Sequence, residues 1–275
     1  MLGKGMEHAE FTGRYLTGEG VEIGAFTTPI PGIRPTYVDR FATYAGQTTL
    51  ADYFGDACDL PYYDDSLDFV ASSHLLEHVA NPLAALREWM RVLRHGGYVY
   101  MVIPDRRYTF DRPRQLTETA HMLADFRSGV TQCDGTHIDD FVFGVDWSLF
   151  SPSTLEDDIA SARAALANAY RRSVEAGLEI NIHFHTFERE RVVELLSIGN
   201  REAVWEGTME IIEIVEQFPG SNPIGFLVVA RAKKRLGHRL SSTFAKKGLR
   251  FDARRIREAQ PRATANSSEG ATRSF

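Results

Sequence analysis

Two short stretches bring proton-accepting and metal-ligating side chains together: Thr136-His137-Ile138-Asp139-Asp140-Phe141 and Ile182-His183-Phe184-His185-Thr186-Phe187. A positioned imidazole or carboxylate can take the proton of a hydroxyl, and several of them can hold a divalent ion. His183 and His185 are two residues apart, so on an extended segment both would point the same way. We expect His137, Asp139 and Asp105 as the catalytic candidates, and Asp139, His183 and His185 as metal ligands. Mg2+ or Mn2+ is favoured if carboxylates dominate, a transition ion if both imidazoles bind. The opposing reading makes these surface or hydrogen-bonded structural residues.

A second set has the chemistry of a nucleoside site. Val21-Glu22-Ile23-Gly24 reads as a strand turning sharply at a glycine, and Asp39 follows a second strand 15 positions beyond it. A carboxylate there can accept from both hydroxyls of a ribose, while Gly24 lets backbone approach the ligand. Asp56 reaches the same rim, where it can accept from an exocyclic amine. No GxGxxG is present, which speaks against a bound pyrophosphate.

The elements that must position these residues are legible around Asp56 to Asp105. Leu67 to Ser73 suits a buried strand, bounded by Tyr63-Asp64-Asp65-Ser66. Asn81 caps a helix starting at Pro82, with Leu83, Leu86, Met90 and Leu93 at helical spacing until Arg94-His95-Gly96. Tyr98 to Ile103 reads as the next strand, with Asp105 at its carboxyl end. Strand and helix alternate, as in a parallel sheet that binds ligands at its carboxyl rim. From Arg106 to Asn181 two helices are expected, Thr117 to Arg127 and Ser153 to Glu175, the second opened by a Ser153/Glu156 capping box. A helix from Thr186 to Ile198 precedes a hairpin of Met209 to Phe218 and Ile224 to Arg231. Tyr108, Phe110, Trp147 and Phe150 could stack on a sugar face or fill a core.

The 275 residues are 43% hydrophobic and 25% charged, enough for one large domain or a domain with an insertion. No apolar run approaches a membrane span and the start has no signal-peptide core, so a cytoplasmic location is expected. The two cysteines, Cys58 and Cys133, read as reduced thiols. Of the net charge of −6, the end from Arg231 carries +10 (13 Lys and Arg against 3 acids) and the rest −16. The simplest account of that end is a solvated, flexible tail or one lying on the acidic body.

Over Val21 to Asp105 the pieces VEIGAFTTP, YVDR, GDACDLPYYDDSLDFVASSHLLEHV and PLAALREWMRVLRHGGYVYMVIPD resemble class I S-adenosylmethionine-dependent methyltransferases, of the type 11-like group in which a GDAxxLPF-like stretch leads to SxxLEHV. The resemblance implies that Glu22 and Gly24 line the methionine and ribose region, and that Asp39 holds the ribose. By the same likeness Asp56 and Ala57 contact adenine, and Ser73 and His74 flank the sulfonium. The first loop departs from the family in lacking its second and third glycines. IPDRRYTFDRPRQLTETAHMLADF and INIHFHTF resemble methyltransferases that accompany glycan-building enzymes, including those of actinobacterial polymethylated polysaccharides. That implies a sugar or oligosaccharide hydroxyl as acceptor.

The expectation is therefore an α/β, Rossmann-like, seven-stranded, mostly parallel sheet with a C-terminal antiparallel hairpin and a helical insertion capping the active site. Its segments are 1–105 (cofactor half), 106–181 (insertion), 182–232 (remaining sheet) and 233–275 (basic tail). The expected activity is O-methylation from S-adenosylmethionine, assisted by a His/Asp base or a divalent cation, Mg2+ or Mn2+, in a possible homodimer without nucleic acid. Alternatives are methylation of RNA or a lipid-like small molecule, and a non-catalytic binding protein of the same fold. His74-Leu75-Leu76-Glu77-His78 also fits the H-x-x-E-H pattern of inverted zinc peptidases, but His74 directly follows a buried strand.

Overall fold

Five strands alternate their side chains between two apolar layers, and this alternation makes the sheet. In the computed structural model, which describes residues 5–44 and 46–234, they are β1 (Gly20–Ile23), β2 (Thr36–Asp39), β3 (Tyr53–Phe54), β4 (Leu67–Ser73) and β5 (Leu93–Pro104), all parallel. β6 (Thr208–Phe218) and β7 (Gly225–Lys233) add a hairpin, with β7 antiparallel to both β5 and β6. The order is β3-β2-β1-β4-β5-β7-β6, a Rossmann-like sheet of seven strands. The basic tail falls, beyond Lys234, outside the described residues.

Val99, Met101 and Ile103 of β5 face one layer, with Val228 and Ala230 of β7; Tyr100 and Val102 face the other, with Leu227 and Val229. Such period-two burial on both faces is what a covered sheet requires. α1 (Ala9–Tyr15) closes the second layer through Phe11. α2 (Pro82–Val92) and α7 (Arg189–Arg201) close the first through Leu83, Leu86, Met90, Val192 and Leu195. α2 begins as expected: the Asn81 side chain accepts the Ala84 N–H at 3.1 Å, and Pro82 sits in the first turn. It stops earlier than expected, because Leu93 is drawn into β5 opposite Leu67.

The helical insertion has its own core. α3 (Thr119–Ser128), α4 (Ile138–Gly144), α5 (Trp147–Phe150) and α6 (Ile159–Glu175) follow one another. Phe110, Ile138, Phe141, Val142, Trp147 and Ala167 pack there with Ile180, Ile182 and Phe184. α4 and α5 are too short to show helical periodicity in sequence and depend on that packing. The Ser153/Glu156 box does not form: a 3-10 turn covers Glu156–Asp158, Leu155 is 70% exposed, and α6 starts at Ile159. α7 likewise starts at Arg189 rather than Thr186, whose hydroxyl is taken by the Gln115 carbonyl at 2.7 Å.

The insertion docks on the turn after β4 through backbone groups. Phe184 N–H donates to Glu77 O at 2.8 Å, Ala80 N–H donates to Gln132 Oε1 at 2.7 Å, and Gln132 Nε2 donates to His78 O at 3.1 Å. Asn81 Nδ2 reaches Asp125 O at 3.3 Å and Val130 O at 3.4 Å, so one side chain both caps α2 and holds α3. Replacing it by alanine removes both roles. We predict that Asn81→Ala lowers stability by about 2 kcal/mol, read as a lower urea midpoint at unchanged m-value.

Candidate active site

β1, β2 and β4 end at one rim, and a cleft opens there whose wall includes Gly24, Asp39, Asp56, Ala57, His74 and His78. Gly24 takes φ +71°, which favours glycine, and its N–H donates to Val38 O at 2.9 Å. A Cβ there would come within 2.9 Å of Leu75 Cδ1, so only backbone fits at the floor. Asp39 Oδ1 accepts the Phe41 N–H at 3.1 Å; burial raises its pKa against the pull of the backbone donors. Asp56 accepts the Cys58 N–H at 2.7 Å and pairs with Arg40, which also reaches Glu179 at 2.9 Å. The carboxylate expected to meet adenine is thus engaged by a guanidinium. Ala57 adds an apolar step, its carbonyl held by Trp89 Nε1 at 3.0 Å.

Two residues expected on this wall stand off it. Glu22 is fully buried, with Oε1 accepting the Ile30 N–H at 2.9 Å and Oε2 meeting no donor among the described residues. Burial pushes its pKa up to about 7. Ser73, half-buried at the end of β4, also lies off the wall. The described site residues therefore offer a glycine floor, the Asp39 carboxylate and apolar sides from Ala57, Leu75 and Val79, which fit a nucleoside cofactor once Arg40 yields Asp56.

Beside this floor lies a histidine-rich wall. His74 adopts φ +51° with its N–H on Val102 O at 2.9 Å, and a 3-10 turn, Leu76–His78, follows. The zinc-peptidase reading needs both histidines on one helix, and this turn does not supply it. Glu77 is wholly buried, 3.8 Å from His74 Nδ1 and 3.9 Å from His78 Nε2. Burial raises its pKa to about 7, whereas burial and then the His183 charge lower His74 to about 4 and His78 to about 3. Both wall imidazoles are therefore neutral at pH 7. Behind them His183 Nδ1 meets Asp111 Oδ2 at 2.5 Å, and buried Arg114 holds Asp111 Oδ1 at 2.7 Å. Burial works to raise the Asp111 pKa, but His183 and Arg114 outweigh it and hold the carboxyl below the usual carboxylate value.

His183 and His185 do not point together. The chain bends at Ile182 and His185, and His185 joins His121, Asp125 and His137 in a separate cluster. Asp139 is absent from both groups: it is largely exposed and ion-paired with Arg171. The reason is local, since His137 and Asp139 flank the first turn of α4 two residues apart, a spacing that sends helical side chains to different faces. Asp105 is buried and committed to Arg107, whose Nη2 lies 2.6 Å from Oδ2. Of the aromatic candidates, Phe110, Trp147 and Phe150 fill the insertion core, and Tyr108 is exposed. Asp111, His121 and Asp125 were missed, and Glu77 and His78 entered only through the H-x-x-E-H pattern. His121 and Asp125, four apart on α3, carried a readable signal; Asp111 carried none.

Residues 33–101 match a family described as "Methyltransferase domain". That is 69 of 275 residues. Over 51 residues the chain is 47% identical to an uncharacterized transposon protein of Streptomyces fradiae, covering 18% of this chain and 15% of that protein. Over 43 residues it is 56% identical to the demethylmenaquinone methyltransferase of Mycobacterium tuberculosis, covering 16% of this chain and 18% of the relative. The aligned stretches span less than a fifth of either relative. Similar solved structures include an S-adenosylmethionine-dependent methyltransferase of Thermotoga maritima (17% identity, TM-score 0.41, 79% of this chain and 83% of that one). Another is from Mesorhizobium loti (14% identity, TM-score 0.40, 78% and 90%).

The Glu22 carboxyl gives the site a pH signature. Its folded pKa, about 7, lies above the ordinary glutamate value of 4.5, so the folded state holds a proton that the unfolded state releases. Its share of stability therefore falls as pH rises from 4.5 to 7, by about 3 kcal/mol. Glu22→Gln removes this dependence. Its stability relative to the parent should climb across that window and then level off, as followed by urea unfolding at each pH.

Proposed function

We propose that this protein transfers a methyl group from S-adenosylmethionine to a hydroxyl of a sugar or oligosaccharide. One observation carries the reading: the glycine floor, the Asp39 carboxylate and two neutral imidazoles share a single cleft at the carboxyl rim, largely within the stretch that matches a methyltransferase domain. Bound in that cleft, the cofactor would supply an electrophilic methyl carbon on its sulfonium. Asp39 would accept from the ribose hydroxyls, and Ala57, Leu75 and Val79, which line the cleft, would exclude water from one side. A neutral sugar hydroxyl must lose its proton as it attacks, and His74 or His78 takes it. Glu77, less than 4 Å from both rings, stabilises the imidazolium so formed. The helical insertion contributes Gln132 and Asn181 to the wall, on the side we assign to the acceptor.

A second reading, a lipid-like acceptor, is favoured by the mycobacterial relative, whose name specifies demethylmenaquinone. Labelled cofactor offered with a panel of oligosaccharides and with demethylmenaquinone separates the two.

Calorimetry with S-adenosylmethionine and S-adenosylhomocysteine should show binding that Asp39→Ala weakens roughly tenfold or more, the loss of one charged hydrogen bond. Absence of binding to either ligand sinks the proposal. His78→Gln should lower turnover about a hundredfold, the range of a lost general base, at nearly unchanged cofactor affinity. An unaltered rate assigns the base to His74 alone.

A further inference from the structure

We propose that His121, Asp125, His137 and His185 form a tetrahedral site for a divalent transition ion of the zinc class, which fastens the helical insertion to the back of the cleft wall. The four come from three separate pieces of chain: α3, the residue before α4, and the segment leading to α7. Their ligand atoms all lie within 4.8 Å of one another. His121 Nε2 is 3.0 Å from His137 Nε2 and 3.3 Å from Asp125 Oδ2. Asp125 Oδ2 is in turn 3.6 Å from His137 Nε2 and 3.8 Å from His185 Nε2. Ligands held tetrahedrally at zinc bond lengths stand about 3.3 to 3.5 Å apart, and these four edges bracket that value.

The protein's own donors leave the group incomplete. Asp125 Oδ2 is buried at the centre of three imidazoles with no hydrogen-bond partner among the described residues. Two ring nitrogens, those of His121 and His137, face each other across 3.0 Å, where at most one can carry the proton between them. A cation among them satisfies the carboxylate and both lone pairs together. The surroundings are those of a ligand set: Thr136 Oγ1 lies 2.9 Å from His137 Nδ1 and fixes the ring with Nε2 inward, and Asn81 holds the Asp125 backbone. His185 Nε2 also lies 3.2 Å from Ala80 O, a contact that ion binding would replace. His121, half exposed, gives the ion a way in.

Three imidazoles with one carboxylate select zinc or a similar ion over Mg2+, which wants oxygen ligands and octahedral geometry. Four protein ligands leave no open position, so the role is structural. The other His/Glu group, Glu77, His78 and His183, offers only three ligands. His183 Nδ1 in it is already tied to Asp111.

The untagged full chain is stripped with chelator, loaded with zinc, passed through gel filtration and assayed for metal by mass spectrometry. Expected are about one zinc per chain and, after cobalt loading, the intense visible absorption of four-coordinate cobalt. His185→Ala and Asp125→Asn should lose both signals, while His183→Ala retains them. His121→Ala, at a half-exposed position that should fold, should lose the drop in thermal midpoint that chelator causes in the parent chain. Zinc at a small fraction of the chain, a six-coordinate cobalt spectrum, or loss with His183→Ala but not with His185→Ala overturns the proposal.

Discussion

The organisation of the site depends on a buried carboxylate that no side-chain donor among the described residues relieves. Glu77 sits inside the wall with both oxygens unmatched by a side-chain donor among the described residues and two imidazoles just beyond hydrogen-bonding distance. Ionised and alone, such a group would cost several kcal/mol, so its charge and the charges of its neighbours cannot be set independently. Burial raises Glu77 and lowers His74 and His78, so each member of the set is displaced toward its uncharged form. Behind them, in the next layer, Arg114 and Asp111 meet as a buried ion pair.

This division separates two kinds of work. The floor, from Gly24 to Ala57, uses backbone conformation and one carboxylate, which suits a ligand of fixed shape. The wall holds titratable groups with open acceptor capacity, which suits a reaction that moves a proton. Both sit on turns that leave strand ends, so the rigidity of five parallel strands passes to them over only a few residues.

Sequence legibility follows how local each cause is. The bounds of β4, the Asn81 cap and the places of Gly24 and Asp39 came from neighbours within a few positions, and they hold. The Ser153 cap failed because Leu155 found no apolar surface to draw the turn inward. His183 and His185 were paired on an assumed strand, and two bends undo that pairing. The engagement of Arg40 by Asp56 and Glu179, and of His183 by Asp111, depends on residues far apart in the chain, which spacing cannot report.

Three polar backbone groups of the turn after β4 are answered by the insertion: Glu77 O by Phe184, Ala80 N–H and His78 O by Gln132. The insertion thus replaces water for a segment that belongs to the other half of the molecule. The two halves are accordingly not interchangeable modules. A chimera carrying a foreign insertion inherits a loop with orphaned amides and carbonyls unless the graft brings an amide side chain where Gln132 stands and an N–H where Phe184 stands. Diversification of the acceptor side in this architecture is therefore confined to changes that keep those two anchors.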